Sequence, residues 1–175
     1  MNITQTRLDG VFEIQNKIFE DHRGVFVKTL HKGMFHQAGL DADFKESFYS
    51  TSTKGVLRGM HFQLPPHDHA KLVYVTNGEV LDVAVDIRKG SPTFGKTYST
   101  KLSGENGKSL YMRKGFAHGF LTLSETATVV YSTTTVYAPQ SDTGILWNSF
   151  GFDWGEVDEE LLSERDKQHP KLVQL

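Results

Sequence analysis

At 175 residues and 19.7 kDa the chain suits one domain with a substantial core rather than two. Its 38% hydrophobic and 23% charged residues are those of an ordinary globular protein, and a formal net charge of −2 without a basic block excludes an electrostatic footprint for nucleic acid. No apolar run approaches the roughly 18 residues of a membrane span, no basic-then-apolar leader opens the chain, and the lack of cysteine excludes disulfides, thiolate metal sites and a cysteine nucleophile. The expected location is therefore the cytoplasm, with no nucleic-acid or membrane partner.

In chain order, strands are expected over residues 25–30 and 44–51, with a short helix over 32–38 between them that Gly39 ends. Leu72-Val73-Tyr74-Val75 runs into Asn77-Gly78, a strong hairpin signal, and the stretch from Glu79 to Ile87 follows with polar and apolar residues roughly alternating. Further strands are expected over 96–102, 109–112, 119–123 and 128–137, separated by the loops Gly90-Ser91-Pro92-Thr93 and Gly104-Glu105-Asn106-Gly107. A second short helix is expected over 157–166, ahead of Pro170. Many short strands in one domain predict an all-β sandwich or jelly-roll barrel with short peripheral helices.

Histidine is the side chain that titrates nearest neutral pH, and there are eight. His22, His31, His36 and His169 lie in polar or terminal contexts and read as plain surface residues. His61, His67, His69 and His118 fall in strand-and-turn segments that could face one cavity. His67-Asp68-His69 with His118 would suit iron, zinc or nickel. This arrangement resembles the cupin superfamily, whose second motif is matched by Gly107, Arg113 where proline is usual, Gly115 and His118, departing at Thr122. In the first motif the slot of the glutamate ligand holds Lys71, whose ammonium repels a divalent cation. The cavity is kept and the metal lost, and His67 and His69 read as loop residues beside Pro65-Pro66.

A closer resemblance covers nearly the whole chain. Val56-Leu57-Arg58-Gly59-Met60-His61-Phe62-Gln63 looks like the signature of the dTDP-4-dehydrorhamnose 3,5-epimerase family. Lys71-Leu72-Val73, Gly78-Glu79-Val80, the run Asp82-Val83-Ala84-Val85-Asp86-Ile87-Arg88 and Gly115-Phe116-Ala117-His118-Gly119-Phe120 continue it in order, followed by Tyr131, Tyr137-Ala138-Pro139 and Leu161-Leu162-Ser163-Glu164-Arg165-Asp166. The resemblance implies a metal-free cupin jelly roll that inverts carbon beside the C4 ketone of a nucleoside-diphosphate-linked 4-keto sugar in deoxysugar biosynthesis, without a cofactor.

A proton on such a carbon leaves when a base is placed on it and the enolate oxygen is stabilised, and inversion needs an acid on the opposite face. The resemblance assigns the base to His61, with Asp166 hydrogen-bonded to it as its orienting, pKa-raising partner, the acid to Tyr131 and the enolate-stabilising cation to Lys71. Without it, Tyr131 would read as an aromatic packed on a strand and Asp166 as a charge on the terminal helix. Arg23, Arg58, His118, Asp142 and Arg165 match substrate-contacting positions, guanidinium groups being suited to diphosphate. Arg88 reads as a plain strand-end arginine.

The departures cluster. Glu46 and Phe48 replace a Gln-x-Asn pair, Lys28 a glutamate, Tyr74 an arginine and Val136 a tyrosine. Several of these positions help hold the nucleotide in the family, so Lys28, Glu46 and Phe48 are expected to contact substrate with an altered preference, CDP sugars standing beside dTDP sugars. Whether C3, C5 or both invert is open at this stage. A non-catalytic ligand-binding cupin, a nucleotide-sugar 3,4-ketoisomerase with two histidines close in one strand, and a metal cupin are the competing readings. The expected organisation is a single domain over 1–175, with N-terminal strands over 1–55 in a homodimer interface, a jelly-roll core over 56–148 and a C-terminal helical segment over 149–175.

Overall fold

The computed structural model describes residues 1–175 as an all-β jelly roll. Its strands are β1 (Asn2–Gln5), β2 (Val11–Gln15), β3 (Ile18–Asp21), β4 (Gly24–Val27), β5 (Glu46–Thr53), β6 (Leu57–Gln63), β7 (Lys71–Asn77), β8 (Glu79–Asp86), β9 (Thr97–Ser103), β10 (Lys108–Met112), β11 (Phe116–Thr122), β12 (Thr126–Thr133) and β13 (Asp142–Gly144). Two short helices, α1 (Lys32–Gln37) and α2 (Glu164–Lys167), lie outside them. A six-stranded sheet in the order β1-β2-β10-β7-β12-β5 faces a five-stranded sheet in the order β13-β6-β11-β8-β9. No helix is long and apolar enough to cross a membrane.

Between the sheets, Val73, Val75, Val80, Ala84, Leu102, Leu110, Val129 and their neighbours form the inner core. Each outer face is covered as well. Phe12, Ile14, Leu72 and Tyr111 of the larger sheet pack under Phe35 of α1 and Leu40. Leu57, Val83, Val85 and Leu121 of the smaller sheet pack under Ile145, Trp154, Leu162 and Leu172. A sheet buried on both faces loses the strict alternation of polar and apolar residues, as β8 does with its near-continuous burial.

Several expectations are corrected. Asn77-Gly78 does not close a hairpin: β7 pairs with β10 and β12, while β8 pairs with β9 and β11 in the other sheet. Gly78, at φ +75°, turns the chain between sheets, and a Cβ there would collide with the Thr126 carbonyl. Asn-Gly encodes a tight turn but not which strands pair afterwards. The helix expected over 157–166 is broken, because Leu162 is extended to bury its side chain and Ser163 caps a new turn, accepting from the Asp166 amide. The rest of 149–175 is mostly irregular. The boundary at residue 56 is not structural, since β1, β2 and β5 all belong to the larger sheet. Only β3 and β4 stand apart, as a separate two-stranded hairpin.

Candidate active site

At one end the space between the sheets is polar and open, a cavity of about 360 Å³. Alternation along the larger sheet aims Glu46, Phe48 and Ser50 of β5, Lys71 of β7, and Tyr131 and Thr133 of β12 into it. From the smaller sheet come Arg58 and His61 of β6, His118 and Phe120 of β11, and Asp142 of β13. Arg58 and His61 are three residues apart, a spacing that in a regular strand puts them on opposite faces. The register between β6 and β11 resolves this: His61 pairs with His118 and Arg58 with Phe120, so three residues on one strand span two on the other. This is a β-bulge, and it turns both side chains inward. It requires backbone contact between Gly59 (φ +141°) and Gly119, since a Cβ on Gly119 would lie 2.7 Å from the Arg58 carbonyl and 2.6 Å from the Met60 sulfur.

Two His–Asp pairs border the cavity, each through its histidine. His61 Nε2 is 2.6 Å from Asp166 Oδ1, and the Gly59 amide donates to Oδ2 of the same carboxylate. Burial pushes the Asp166 carboxyl up, but the hydrogen bond and charge of His61 outweigh this and hold it below the usual carboxylate value. With Nε2 engaged, Nδ1 is the His61 nitrogen left for a substrate, and a third of this side chain is exposed. The second pair is sealed: His118 Nε2 lies 2.8 Å from Asp82 Oδ2, with side-chain exposures of 2% and 0%. Burial lowers the His118 pKa even though Asp82 pulls it up.

Lys71 is buried in the same region. Desolvation lowers its pKa to about 8, opposed by the carboxylates of Asp82 and Asp142. Tyr131 lies across the cavity from His61 on the facing sheet, its hydroxyl 3.1 Å from Ser50 Oγ and its ring stacked on Phe48 at 4.8 Å. Burial raises the phenol's pKa, so the hydroxyl keeps its proton at working pH. Arg58 donates to Ser52, Arg165 pairs with Asp142 at 2.7 Å, and Glu46 accepts from the Tyr137 amide.

The chain thus brings together His61, Asp166, Tyr131, Lys71, Glu46, Phe48, Arg58, His118, Asp142 and Arg165. It does not bring Arg23 or Lys28 to them. Arg23 sits at the tip of the β3–β4 hairpin, 78% exposed and paired with Asp21, and Lys28 is exposed just beyond β4. Two residues near the site escaped the sequence reading. Asp82 lies in β8, whose polar and apolar residues do not separate buried from exposed positions, so nothing marks it as buried. His169 is not a surface residue: its side chain is 8% exposed and lies 3.6 Å from Asp166, its ring edge-on to His61. Its i, i+3 spacing from Asp166 was the available signal. Of the H-x-H pair, His67 is bonded to Ser141, whereas His69 lines the cavity and is held by Gln63 and Thr135. Burial, aided by the charge of Lys71, lowers the His69 pKa to about 3. Arg88 is structural, its guanidinium on the buried Asp86 that also accepts from Ser91 and Thr93.

The family model for dTDP-4-dehydrorhamnose 3,5-epimerase matches residues 5–174. The chain belongs to that family. It is 44% identical to a dTDP-4-dehydrorhamnose 3,5-epimerase of Shigella flexneri, over 99% of this chain and 97% of that one. Its fold superposes with a TM-score of 0.93 on the Legionella pneumophila dTDP-6-deoxy-D-glucose-3,5-epimerase solved with dTDP-4-keto-L-rhamnose, at 40% identity, covering 99% and 94% of the two chains. ChmJ of Streptomyces bikiniensis, a 3'-monoepimerase solved with dTDP-quinovose, superposes at 0.91 with 32% identity, over 97% and 87%. Like its family, this cupin is an epimerase, an enzyme of the isomerase class.

Proposed function

We propose that the protein inverts carbon adjacent to the C4 ketone of a nucleoside-diphosphate-linked 4-keto-6-deoxyhexose, with His61 as base and Tyr131 as acid. The observation that carries this reading is the placement of His61 and Tyr131 on opposite sheets across one cavity that Lys71 also lines. Nδ1 of His61 takes the proton, the electron pair moves to the ketone oxygen, and Lys71 stabilises the resulting enolate. Tyr131 then delivers its proton to the opposite face, and the imidazolium of His61 is stabilised by Asp166. A ketoisomerase with paired histidines in one strand fits less well, since His61 and His118 lie on neighbouring strands and the second is sealed with Asp82.

Two relatives, those of Legionella pneumophila and Streptomyces bikiniensis, are solved with dTDP sugars, and C5, C3 or both are the carbons open to inversion here. One observation favours a different base. Glu46 offers a carboxylate beside Phe48 at the cavity wall, with one oxygen engaged by the Tyr137 amide. The other oxygen suits the N4 amino group of cytosine and opposes the O4 acceptor of thymine. A CDP sugar is therefore the second reading, and each mismatched buried polar contact would cost the dTDP compound about 1–3 kcal/mol. Matched dTDP- and CDP-4-keto-6-deoxyglucose in D₂O test both readings. Deuterium entering at C3 or C5 is expected, and under the CDP reading the CDP compound is at least tenfold better in kcat/KM. Equal or better turnover of the dTDP compound sinks the CDP reading, and no exchange with either sinks the function.

A homodimer completes this reading. The β3–β4 hairpin exposes Phe19, Val25 and Phe26, the last 61% accessible, and an isolated two-stranded hairpin is marginally stable in water. Covered by a second subunit, it would carry Arg23 and Lys28 toward the partner's cavity. A monomer of 19.7 kDa by sedimentation at micromolar concentration would count against this arrangement.

A further inference from the structure

Behind His61 lies a set of potential metal ligands that the proton chemistry does not use in full. His61 Nε2 and Asp166 Oδ1 are 2.6 Å apart, and His169 Nε2 approaches the same oxygen at 3.6 Å. One ligand atom from each of the three residues lies within 4.8 Å of the others. The His169 side chain is 8% exposed, and its buried Nε2 has no hydrogen-bond partner. The ring is held in place by close packing on Gly144, where a Cβ would lie 2.6 Å from Nε2. A buried polar atom without a partner is rare and costly, and here it points into a cluster of electron-pair donors.

We propose that His61, Asp166 and His169 form an inhibitory site for a divalent transition metal, with zinc the preferred ion. Two imidazoles and a carboxylate are a donor set that binds such ions. In a tetrahedral zinc site with bonds of about 2.0–2.2 Å, ligand atoms stand roughly 3.4 Å apart. The His61–Asp166 contact therefore opens and the Asp166–His169 contact closes slightly. Zinc bonds through the lone pair of His61 Nε2, so the proton that this nitrogen gives to Asp166 moves to Nδ1. The imidazole stays neutral with one proton, but Nδ1 now donates where it has to accept, and proton abstraction stops. Magnesium and calcium prefer all-oxygen sites and leave the enzyme active. The inhibition rests on the role proposed for His61, whereas the metal site rests on geometry alone.

The test combines calorimetric titration of chelator-treated protein with ZnCl₂ and deuterium exchange into the sugar with and without zinc. Wild type is expected to bind one zinc, to lose exchange when loaded and to regain it with EDTA. His169→Ala, and His169→Gln as a better-filled second variant, should bind zinc roughly tenfold or more weakly and keep exchanging at the zinc concentration that stops wild type. Equal zinc affinity in wild type and both variants overturns the site, and a zinc-loaded wild type that still exchanges overturns the inhibition. If wild type shows no exchange before zinc is added, the functional reading fails, and calorimetry alone decides the metal site.

Discussion

Replacing Lys71 by methionine should stabilise the protein while abolishing turnover. The folded protein holds the Lys71 pKa at about 8, against 10.5 in the unfolded chain, because burial disfavours the ammonium more than Asp82 and Asp142 favour it. A difference of roughly 2.5 units at 1.36 kcal/mol per unit makes the charge cost about 3 kcal/mol of folding stability below pH 8. Between pH 8 and 10.5 the unfolded chain binds more protons than the folded one, so stability rises with pH across that window. Above it the penalty is gone. Methionine keeps much of the side-chain volume and removes the charge, so the variant should be more stable than wild type by up to about 3 kcal/mol at pH 7, with the difference shrinking toward pH 10.5. Urea denaturation of both proteins at pH 7, 8.5 and 10 measures it, and deuterium exchange should be lost at every pH. In wild type, exchange should decline as pH rises through about 8, where Lys71 loses its proton. A variant less stable than wild type at pH 7, or a difference that does not change with pH, would refute the argument that the enzyme carries an unfavourable buried cation for its chemistry.

His61→Ala should reduce exchange at every carbon by roughly 10²–10⁴-fold, measured by NMR of sugar in D₂O. Tyr131→Phe should separate two steps: His61 still forms the enolate and solvent protons return on its own face, so deuterium enters with little inverted product, whereas parallel loss of exchange and inversion would remove Tyr131 as the opposite-face acid. Gly119→Ala should cost about 1–3 kcal/mol in urea denaturation by overpacking the bulge, and should lower kcat/KM by displacing Arg58 and His61. Prolonged chelation should leave turnover intact, and its restoration by one added divalent ion after a loss would contradict the role given to Lys71.

The fold was legible where local chemistry and long-range pairing agree. Helix α1 and strands β9 and β10 fall within a residue of expectation, because their turns are set by glycine and by short polar loops. It was not legible where pairing is decided by distant strands. The hairpin expected at Asn77-Gly78 is a crossing between sheets, and β1 and β2 were not placed because these strands of four and five residues are held by pairing, β2 to the distant β10 and β1 to β2, rather than by their own pattern. The bulge at Gly59 was equally hidden, since only the register against β11 reveals why residues 58 and 61 can share a cavity.

The limits of reading the site follow from how charge survives in a protein interior. A buried ionised group persists only beside a partner, and partners come from whichever strands the fold brings together. Lys71 lies on β7, Asp82 on β8 and His118 on β11, so this cluster spans both sheets and has no contiguous motif. Lys71 was found because it occupies a slot where a metal ligand is usual, an anomaly visible in one dimension. Asp82 gave no such sign, yet its carboxylate is one of the two that keep the Lys71 pKa from falling further. The two His–Asp pairs have the same chemistry and opposite settings. His61 is a third exposed with Nδ1 free, so it can exchange a proton with a ligand, while His118 is sealed at 2% and fixed by Asp82. Exposure, which sequence does not encode locally, is what separates the proton-carrying role proposed for His61 from a fixed polar wall.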